Sequence, residues 1–350
     1  MIKNNIWKNK KVFLTGDTGF KGSWLSIWLN ELGAIVEGYS LRPDTIPSLY
    51  ESANINNLHN THFQDIRDLA SLKKAVSDFK PDIVMHLAAQ PLVRSSYINP
   101  IETLETNVIG TANVLSVSKD INSVQVVLVI TSDKCYENNE LGDPFKENDR
   151  MGGADPYSCS KGCAELVVAS YQQSYYQYTD KKLMSARAGN VIGGGDWSKD
   201  RLIPDIIRAV SSNSDLHLRN PGSIRPWQHV LEPLDGYIEL CEKALQNEGF
   251  DNYWNFGPYT DDVLSVEDLA ISLKKYFKSN STIKHSPSNL KESNVLKLDV
   301  TKALTELDWE PRLTTDKCLE WVANWYKDFQ TGSDPYLLCK NQIKSFEELK

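Results

Sequence analysis

The stretch Phe13–Trp24, FLTGDTGFKGSW, decides how this chain folds. It begins inside the apolar run KVFLT, passes through Gly16, Gly19 and Gly22, and closes into SWLSIWLNEL, whose apolar residues recur at helical spacing. A buried strand that turns straight into a helix needs backbone without Cβ at its tightest point. The pattern Gly-x-x-Gly-x-x-Gly supplies it and leaves the first N–H groups of the helix open to an anion such as a pyrophosphate. Alone, the spacing also fits a plain strand-to-helix turn. The order strand, glycines, helix at the front of the chain favours a dinucleotide-binding unit.

The same alternation continues. AIVEGYSL, DIVMHLAA, VQVVLVITS and KLMSARAGNVIG read as strands. SLKKAVSDFK before Pro81, IETLETNVIGTANVLSVSKD, and PYSCSKGCAELVVASYQQSYY with Pro156 in its first turn read as helices. Continuous apolar strands separated by helices predict an α/β chain with a doubly wound parallel sheet covered on both faces. From about residue 190 the pattern breaks into loop-like pieces such as GGGDW, NPGSIRP and NFGPYTDD. This predicts a smaller C-terminal lobe over the ligand edge of the sheet. The expected division is a dinucleotide-binding domain at 1–188, with 226–256 returning to it, and a substrate-binding lobe mainly from 189–225 and 257–350. Trp and Tyr in WNFGP and CLEWVANWY are expected to fill the core.

Composition narrows the function. Of 350 residues, 41% are hydrophobic and 24% charged, as in an ordinary soluble globular protein. A formal net charge of −8 argues against a nucleic-acid or anionic-membrane surface. No stretch is long and apolar enough for a membrane span, and the N-terminus carries no secretory signal pattern. The six cysteines show no metal-ligand spacing, and only Cys159 and Cys163 are close. Reduced thiols, a cytoplasmic location and no metal are the expectation. The sequon at Asn280 then has no secretory context.

The strand VQVVLVI ends in Thr131, Ser132, Asp133 and Lys134, which places a hydroxyl, an acid and an amine at the mouth of a cleft. Tyr157 and Lys161 lie at i,i+4 in YSCSK and share one helix face. A lysine ammonium beside a phenol stabilises phenolate, which makes the tyrosine a base nearer neutrality. At the end of the second strand, Arg42 suits either a 2′-phosphate or adenine stacking, leaving NAD versus NADP open. Asp65 is a candidate for the adenine amino group and equally for a helix N-cap.

With these pieces assembled, the chain resembles the extended short-chain dehydrogenases/reductases that modify nucleotide sugars. The resemblance rests on TGDTGFKG, HLAAQ, TNVIGT, PYSCSK, RAGNVIG, LIPDIIR, IRPWQHV, WNFGP and KALTELDWEP, in that order from about residue 10 to 325. It implies a Rossmann-type sheet, NAD as cofactor, and cofactor contacts from Gly16, Thr18, Gly19, Phe20, Lys21, Gly22, Arg42, Asp65, Ile66, Leu87, Ala88, Ala89, Gln90, Asn107, Tyr157 and Lys161. Sugar-nucleotide 4,6-dehydratases usually carry hydroxyl–Asp–Glu at the strand tip. Ser132–Asp133–Lys134 departs at the third place and is similar instead to the subgroup acting on CDP-D-glucose, as are TGFKGSWL and RAGNVIGGGDW.

That resemblance implies a lyase converting CDP-D-glucose to its 4-keto-6-deoxy derivative plus water, in deoxysugar and O-antigen precursor supply. Tyr157 is then the base for the 4-hydroxyl, Asp133 the acid for the departing C6 hydroxyl, Lys134 the C5 base or an enolate stabiliser, and Ser132 a hydrogen-bonding partner. Asn190, Arg201 and Arg225 are implied substrate-binding residues on the pyrophosphate side. The two long helices at 101–120 and 156–176 are implied to build a homodimer or a dimer of dimers. The competing readings are a nucleotide-sugar 4-epimerase, disfavoured by Asp133, and a non-catalytic dinucleotide sensor, disfavoured by the intact Tyr157–Lys161 pair.

Overall fold

A computed structural model describes residues 6–138, 140–246, 252–286 and 295–349. Seven strands form one sheet: β1 (Lys11–Thr15), β2 (Ile35–Ser40), β3 (Asn60–Phe63), β4 (Ile83–His86), β5 (Val126–Ile130), β6 (Lys182–Ala188) and, past a short β7 (Val191–Ile192), β8 (Leu216–Leu218), β9 (Ile224–Arg225) and β10 (Gln228–His229), the edge strand β11 (Tyr253–Phe256). Their order is β3-β2-β1-β4-β5-β6-β11, and every neighbouring pair is parallel. The α/β doubly wound sheet expected from the alternation is therefore present. The order reverses between β1 and β4, and ligands of such sheets bind outside the carboxyl ends of the strands at that switch point.

The period-two alternation of the apolar strands divides the core. Val12, Leu14, Ile83, Met85, Val126 and Leu128 pack into one cluster, while Phe13, Val84, Val127 and Val129 pack into another on the opposite face. The first face is covered by α1 (Phe20–Glu31) and, further along the chain, by α9 (Leu231–Leu245), α12 (Thr315–Gln330) and α13 (Pro335–Glu347). The second is covered by α3 (Leu69–Phe79), α6 (Gly110–Asp120) and α7 (Pro156–Ser174), while the short α2 (Leu49–Ser52) packs on α1 and α13 on the first face. Trp254, Trp309 and Trp325 are fully buried, as core filling requires. No helix among the described residues is long and apolar enough to cross a membrane.

The predicted helix at 101–120 is broken in its hydrogen-bonding pattern. Short α4 (Val93–Ile98) leads into α5 (Pro100–Leu104), then a π turn at Glu105–Ile109, then α6. The π turn holds Asn107 against α7, through its Nδ2 donating to the Ser160 hydroxyl at 2.8 Å. Beyond β7 the chain builds α8 (Leu202–Ser212), β12 (Leu264–Ser265), α10 (Val266–Tyr276), β13 (Ile283–His285) and α11 (Thr301–Glu306). Here α8 packs on α10, β8 pairs with β13, and β9 pairs with β12.

The glycine turn closes tightly. Gly16 has φ +80°, and a Cβ there would stand 2.6 Å from the Ala88 nitrogen. A Cβ on Gly22 would fall 2.0 Å from the Gly16 carbonyl oxygen, so α1 sits directly on the turn that precedes it. The Trp24 indole N–H then donates to the Gly194 carbonyl at 2.9 Å, tying α1 to the GGGDW loop. Gly22→Ala should therefore cost about 1–3 kcal/mol through overpacking. A fall in the urea midpoint with an unchanged slope checks this; an unchanged midpoint would mean the helix has room to shift.

Candidate active site

A cleft of about 1120 Å³ opens at the carboxyl ends of β1, β2, β4, β5 and β6. Its floor near β1 is the glycine turn. Helix α1 begins at Gly19 with no side-chain cap and no acidic residue in its first turn. Its leading N–H groups and dipole thus remain available to an anion. Gly16, Thr18, Gly19, Phe20, Lys21 and Gly22 all line the cleft. These features fit the pyrophosphate of a dinucleotide, since close backbone approach and an uncapped helix start occur together.

At the β2 side, Arg42 and Asp65 also line the cleft. The Arg42 guanidinium lies 4.4 Å from the centre of the Phe63 ring, so it is stacked on protein. Asp65 is not the cap of α3. That position belongs to Asp68, whose carboxylate accepts from the Ala70 and Ser71 N–H groups. Asp65 instead accepts from the backbone N–H and guanidinium of Arg67. Ile66, Leu87, Ala88 and Ala89 face the cleft, but Gln90 and Asn107 do not line it. Those two residues are locked together: the Gln90 N–H donates to Asn107 Oδ1 at 2.8 Å, and Asn107 Nδ2 donates back to the Gln90 carbonyl at 3.0 Å. Their polar groups are spent fixing the HLAAQ loop to the π turn and to α7, so they shape the cleft from behind.

The strand tip and α7 meet at the centre. Ser132 caps a single 3₁₀ turn, Asp133–Cys135, by accepting the Lys134 N–H at 3.2 Å. The Ser132 hydroxyl donates to Asp133 Oδ1 at 3.0 Å. The other oxygen, Asp133 Oδ2, is buried without a hydrogen-bond partner. Asp133, Lys134, Tyr157 and Lys161 all line the same cleft. Residue 189 is a glycine where a Cβ would come 3.3 Å from that bare oxygen. Asp155 caps α7, Pro156 takes its first position, and the Tyr157 N–H is satisfied by the Ser96 hydroxyl at 3.1 Å. The Lys161 ammonium donates to the Ile130 carbonyl at 3.3 Å, the last peptide of β5.

Electrostatics revise one expectation. The Tyr157 phenol is pushed up to about 12 by burial, with Asp133 and Asp155 pushing the same way. A hydrogen bond from Ser132 and the charge of Arg201 act in the opposite sense. In this state Lys161 is therefore not what draws the phenol down; its ammonium is turned to Ile130. Burial also lowers Lys161 to about 8, against the raising influence of Glu165 and Cys135. His86, between the Thr15 and Thr111 hydroxyls, is held neutral, lowered to about 3 by burial and by Lys161.

On the substrate side, Asn190, Arg201 and Arg225 line the cleft. Arg201 is held by Asp196 at 3.0 Å, and Arg225 is buried, with its guanidinium donating to the Ile224 carbonyl at 2.9 Å. Two arginines that the motifs did not mark stand at the mouth. Arg94 and Arg219 each donate to Asp200 Oδ1 at 2.9 Å, bridging α4 to the loops of the C-terminal half.

Lys21 carries a property that spacing did not reveal. Its ammonium donates to the Tyr237 hydroxyl at 3.3 Å. Burial lowers it to about 7, Lys161 and Arg201 push the same way, and Asp133 opposes. An unfolded lysine titrates near 10.4, so between about pH 7 and pH 10 the unfolded chain binds more protons, and stability rises with pH in that window. Lys21→Met should thus raise the melting midpoint of the cofactor-free protein most at pH 7 and below, with the gain fading towards pH 10. A gain independent of pH in calorimetry would contradict the shift.

With the geometry in place, the chain can be set beside known proteins. Residues 13–321 match the GDP-mannose 4,6-dehydratase family. A CDP-glucose 4,6-dehydratase of Salmonella typhimurium is 47% identical, covering 99% of this chain and 98% of that protein. A human dTDP-D-glucose 4,6-dehydratase is 24% identical over 91% of this chain and 90% of its own length. Among solved structures, the fold is shared with a UDP-glucose 4-epimerase of Thermotoga maritima, at TM-score 0.81, 22% identity and coverage of 91% and 99% of the two chains. It is shared also with an NAD complex of a dTDP-glucose 4,6-dehydratase from Bacillus anthracis, at TM-score 0.78, 18% identity and coverage of 93% and 99%. Match and geometry agree: the chain belongs to the GDP-mannose 4,6-dehydratase family, the sugar-nucleotide 4,6-dehydratases of the extended short-chain dehydrogenase/reductase fold.

Proposed function

We propose that the chain is an NAD-dependent CDP-glucose 4,6-dehydratase, releasing water and a CDP-4-keto-6-deoxy sugar. The observation that carries this is the bare, buried Asp133 Oδ2 in the cleft that also holds Tyr157 and Lys161. The 47% identity along the chain supports the CDP-glucose assignment. An epimerase needs no acid for a leaving hydroxyl, so an unpartnered carboxyl oxygen there speaks for elimination.

The glycine turn, the Leu87–Ala89 loop and Arg42 would hold NAD, which would accept the C4 hydride and hand it back at C6. Every other task falls to side chains. Tyr157 accepts the proton of the 4-hydroxyl, and Ser132 hydrogen-bonds the same oxygen. The Lys161 ammonium stabilises the phenolate once it swings from Ile130 towards the phenol. A 4-ketone acidifies the C5 proton. Lys134 serves that position: a neutral amine takes the proton, and an ammonium steadies the enolate charge. Asp133 gives its proton to the departing C6 oxygen as a C5–C6 double bond forms, and once hydride has reached C6 the proton taken from C5 is returned there. Asn190, Arg201 and Arg225 hold the pyrophosphate of the substrate, mainly from the 189–225 segment of the second lobe.

We further assign the exposed face of α5, the π turn and α7 to self-association. Ile101 is 66% exposed, Ile109 52% and Leu166 59%, too much apolar surface on adjacent helices for an isolated subunit. A homodimer through this face is expected, and Leu166→Arg should shift sedimentation towards monomer. An unchanged sedimentation coefficient would place the contact elsewhere.

Two substitutions test the chemistry. Tyr157→Phe should keep the fold and lose at least 10²-fold in turnover. Asp133→Asn should permit C4 oxidation but slow water loss, so that reduced cofactor accumulates and absorbs in the near ultraviolet. Full dehydration by Asp133→Asn would remove it from the acid role.

A further inference from the structure

Below the reacting groups lies a buried charge that the proposed chemistry does not use. Tyr157, Lys161 and Glu165 follow one another at four-residue intervals on the same face of α7. The Glu165 carboxylate is 1% exposed. One oxygen accepts the Thr131 hydroxyl, the residue that joins β5 to Ser132. The other accepts the Ser185 hydroxyl at 2.8 Å and the Arg187 guanidinium at 2.7 Å. Arg187, 2% exposed, donates onward to the Tyr136 hydroxyl and to the Glu147 carbonyl, both at 2.8 Å. Tyr136 in turn donates to Asn255 Oδ1 at 2.7 Å, on the edge strand β11.

We propose that Glu165 is a positioning residue for the catalytic pair: its carboxylate anchors the tip of β5 through Thr131 and acts as the counter-charge beneath Lys161. The inference rests on the dehydratase reading for its catalytic meaning, but its physical content concerns Lys161 alone. Groups facing Lys161 are few. Lys21 of α1, itself pushed down by Lys161, opposes its charge, His86 of β4 is neutral, and Cys135 of the 3₁₀ turn and Glu165 favour it. Tyr157 lies one turn away on the same helix and Asp133 on the strand tip. Burial opposes the charged form of Glu165, yet Arg187, Thr131 and Ser185 together hold its carboxyl below the ordinary range. Glu165 is thus anionic at every working pH and is the one fixed carboxylate acting directly on Lys161 among the described residues. Without it, an ammonium already depressed by burial loses its main support.

The test follows the Lys161 ammonium by ¹³Cε NMR in the cofactor-free protein, with the resonance assigned through Lys161→Met. In Glu165→Gln the titration midpoint should fall by about one pH unit. The alkaline limb of kcat/KM should move down by the same amount, because less Lys161 is protonated. Removing one partner of a buried ion pair often prevents folding. The double variant Glu165→Gln, Arg187→Met removes both charges at similar volume and should show the same fall. Thr131→Val keeps the charge and loses the tether, so the midpoint should stay while dehydration slows. An unchanged midpoint in a folded Glu165 variant, or an equal fall in Thr131→Val, would overturn the proposal. Failure of the wild type to form a 4-keto sugar would instead refute the dehydratase reading, with the NMR midpoint still deciding the role of Glu165.

Discussion

The junction between the end of β5 and one face of α7 is the constraint on which the rest depends. The strand brings Ser132, Asp133 and Lys134; the helix brings Tyr157 and Lys161. Two contacts hold the two together, Lys161 to the Ile130 carbonyl and Thr131 to Glu165, while Asn107 of the neighbouring π turn pins α7 through Ser160. Each is buried, where an unmade hydrogen bond costs about 1–3 kcal/mol. A strand end and a helix more than twenty residues apart are thereby fixed to a tolerance that acid–base chemistry requires. The parallel sheet sets where the junction forms, and the order reversal between β1 and β4 sets the cofactor turn beside it.

Burial has opposite consequences for the groups gathered there. It raises Tyr157, lowers Lys161 and Lys21, and keeps His86 neutral. A phenol near 12 and a lysine near 8 leave the site with its base protonated in the state described. The cationic ring of a bound nicotinamide would stand as positive charge near the phenol, which is the direction needed to release its proton. On the other side of the cleft, the arginines Arg201 and Arg225 suit a substrate that carries a pyrophosphate.

Much of this was legible in the sequence. The glycine turn, the apolar strands and the Tyr157–Lys161 spacing depend on local pattern, and the structure places them in one cleft. The rest depended on contacts between distant segments. The sequence offered Asp65 as a possible cap, but the helix starts at Asp68, which takes that place. Motif membership cannot say which way Gln90 and Asn107 point; Asn107 clasps the Gln90 backbone, and the Gln90 side chain turns to Thr103. Glu165 did have a signal, one further helical step along the face of Tyr157 and Lys161, but its meaning required Thr131 and Arg187, brought in from β5 and β6. Lys21 lies in the glycine motif itself, while its lowered charge comes from neighbours at 161 and 201.

The most direct measurement is the fate of a label at C4. Wild-type protein would be given NAD and CDP-D-glucose deuterated at C4, and the product read by mass spectrometry and NMR. The account predicts a 4-keto-6-deoxy sugar with the deuterium at C6, since the hydride removed from C4 returns within the same cleft after water leaves. Deuterium retained at C4 of an inverted sugar, or no ketone at all, would contradict it.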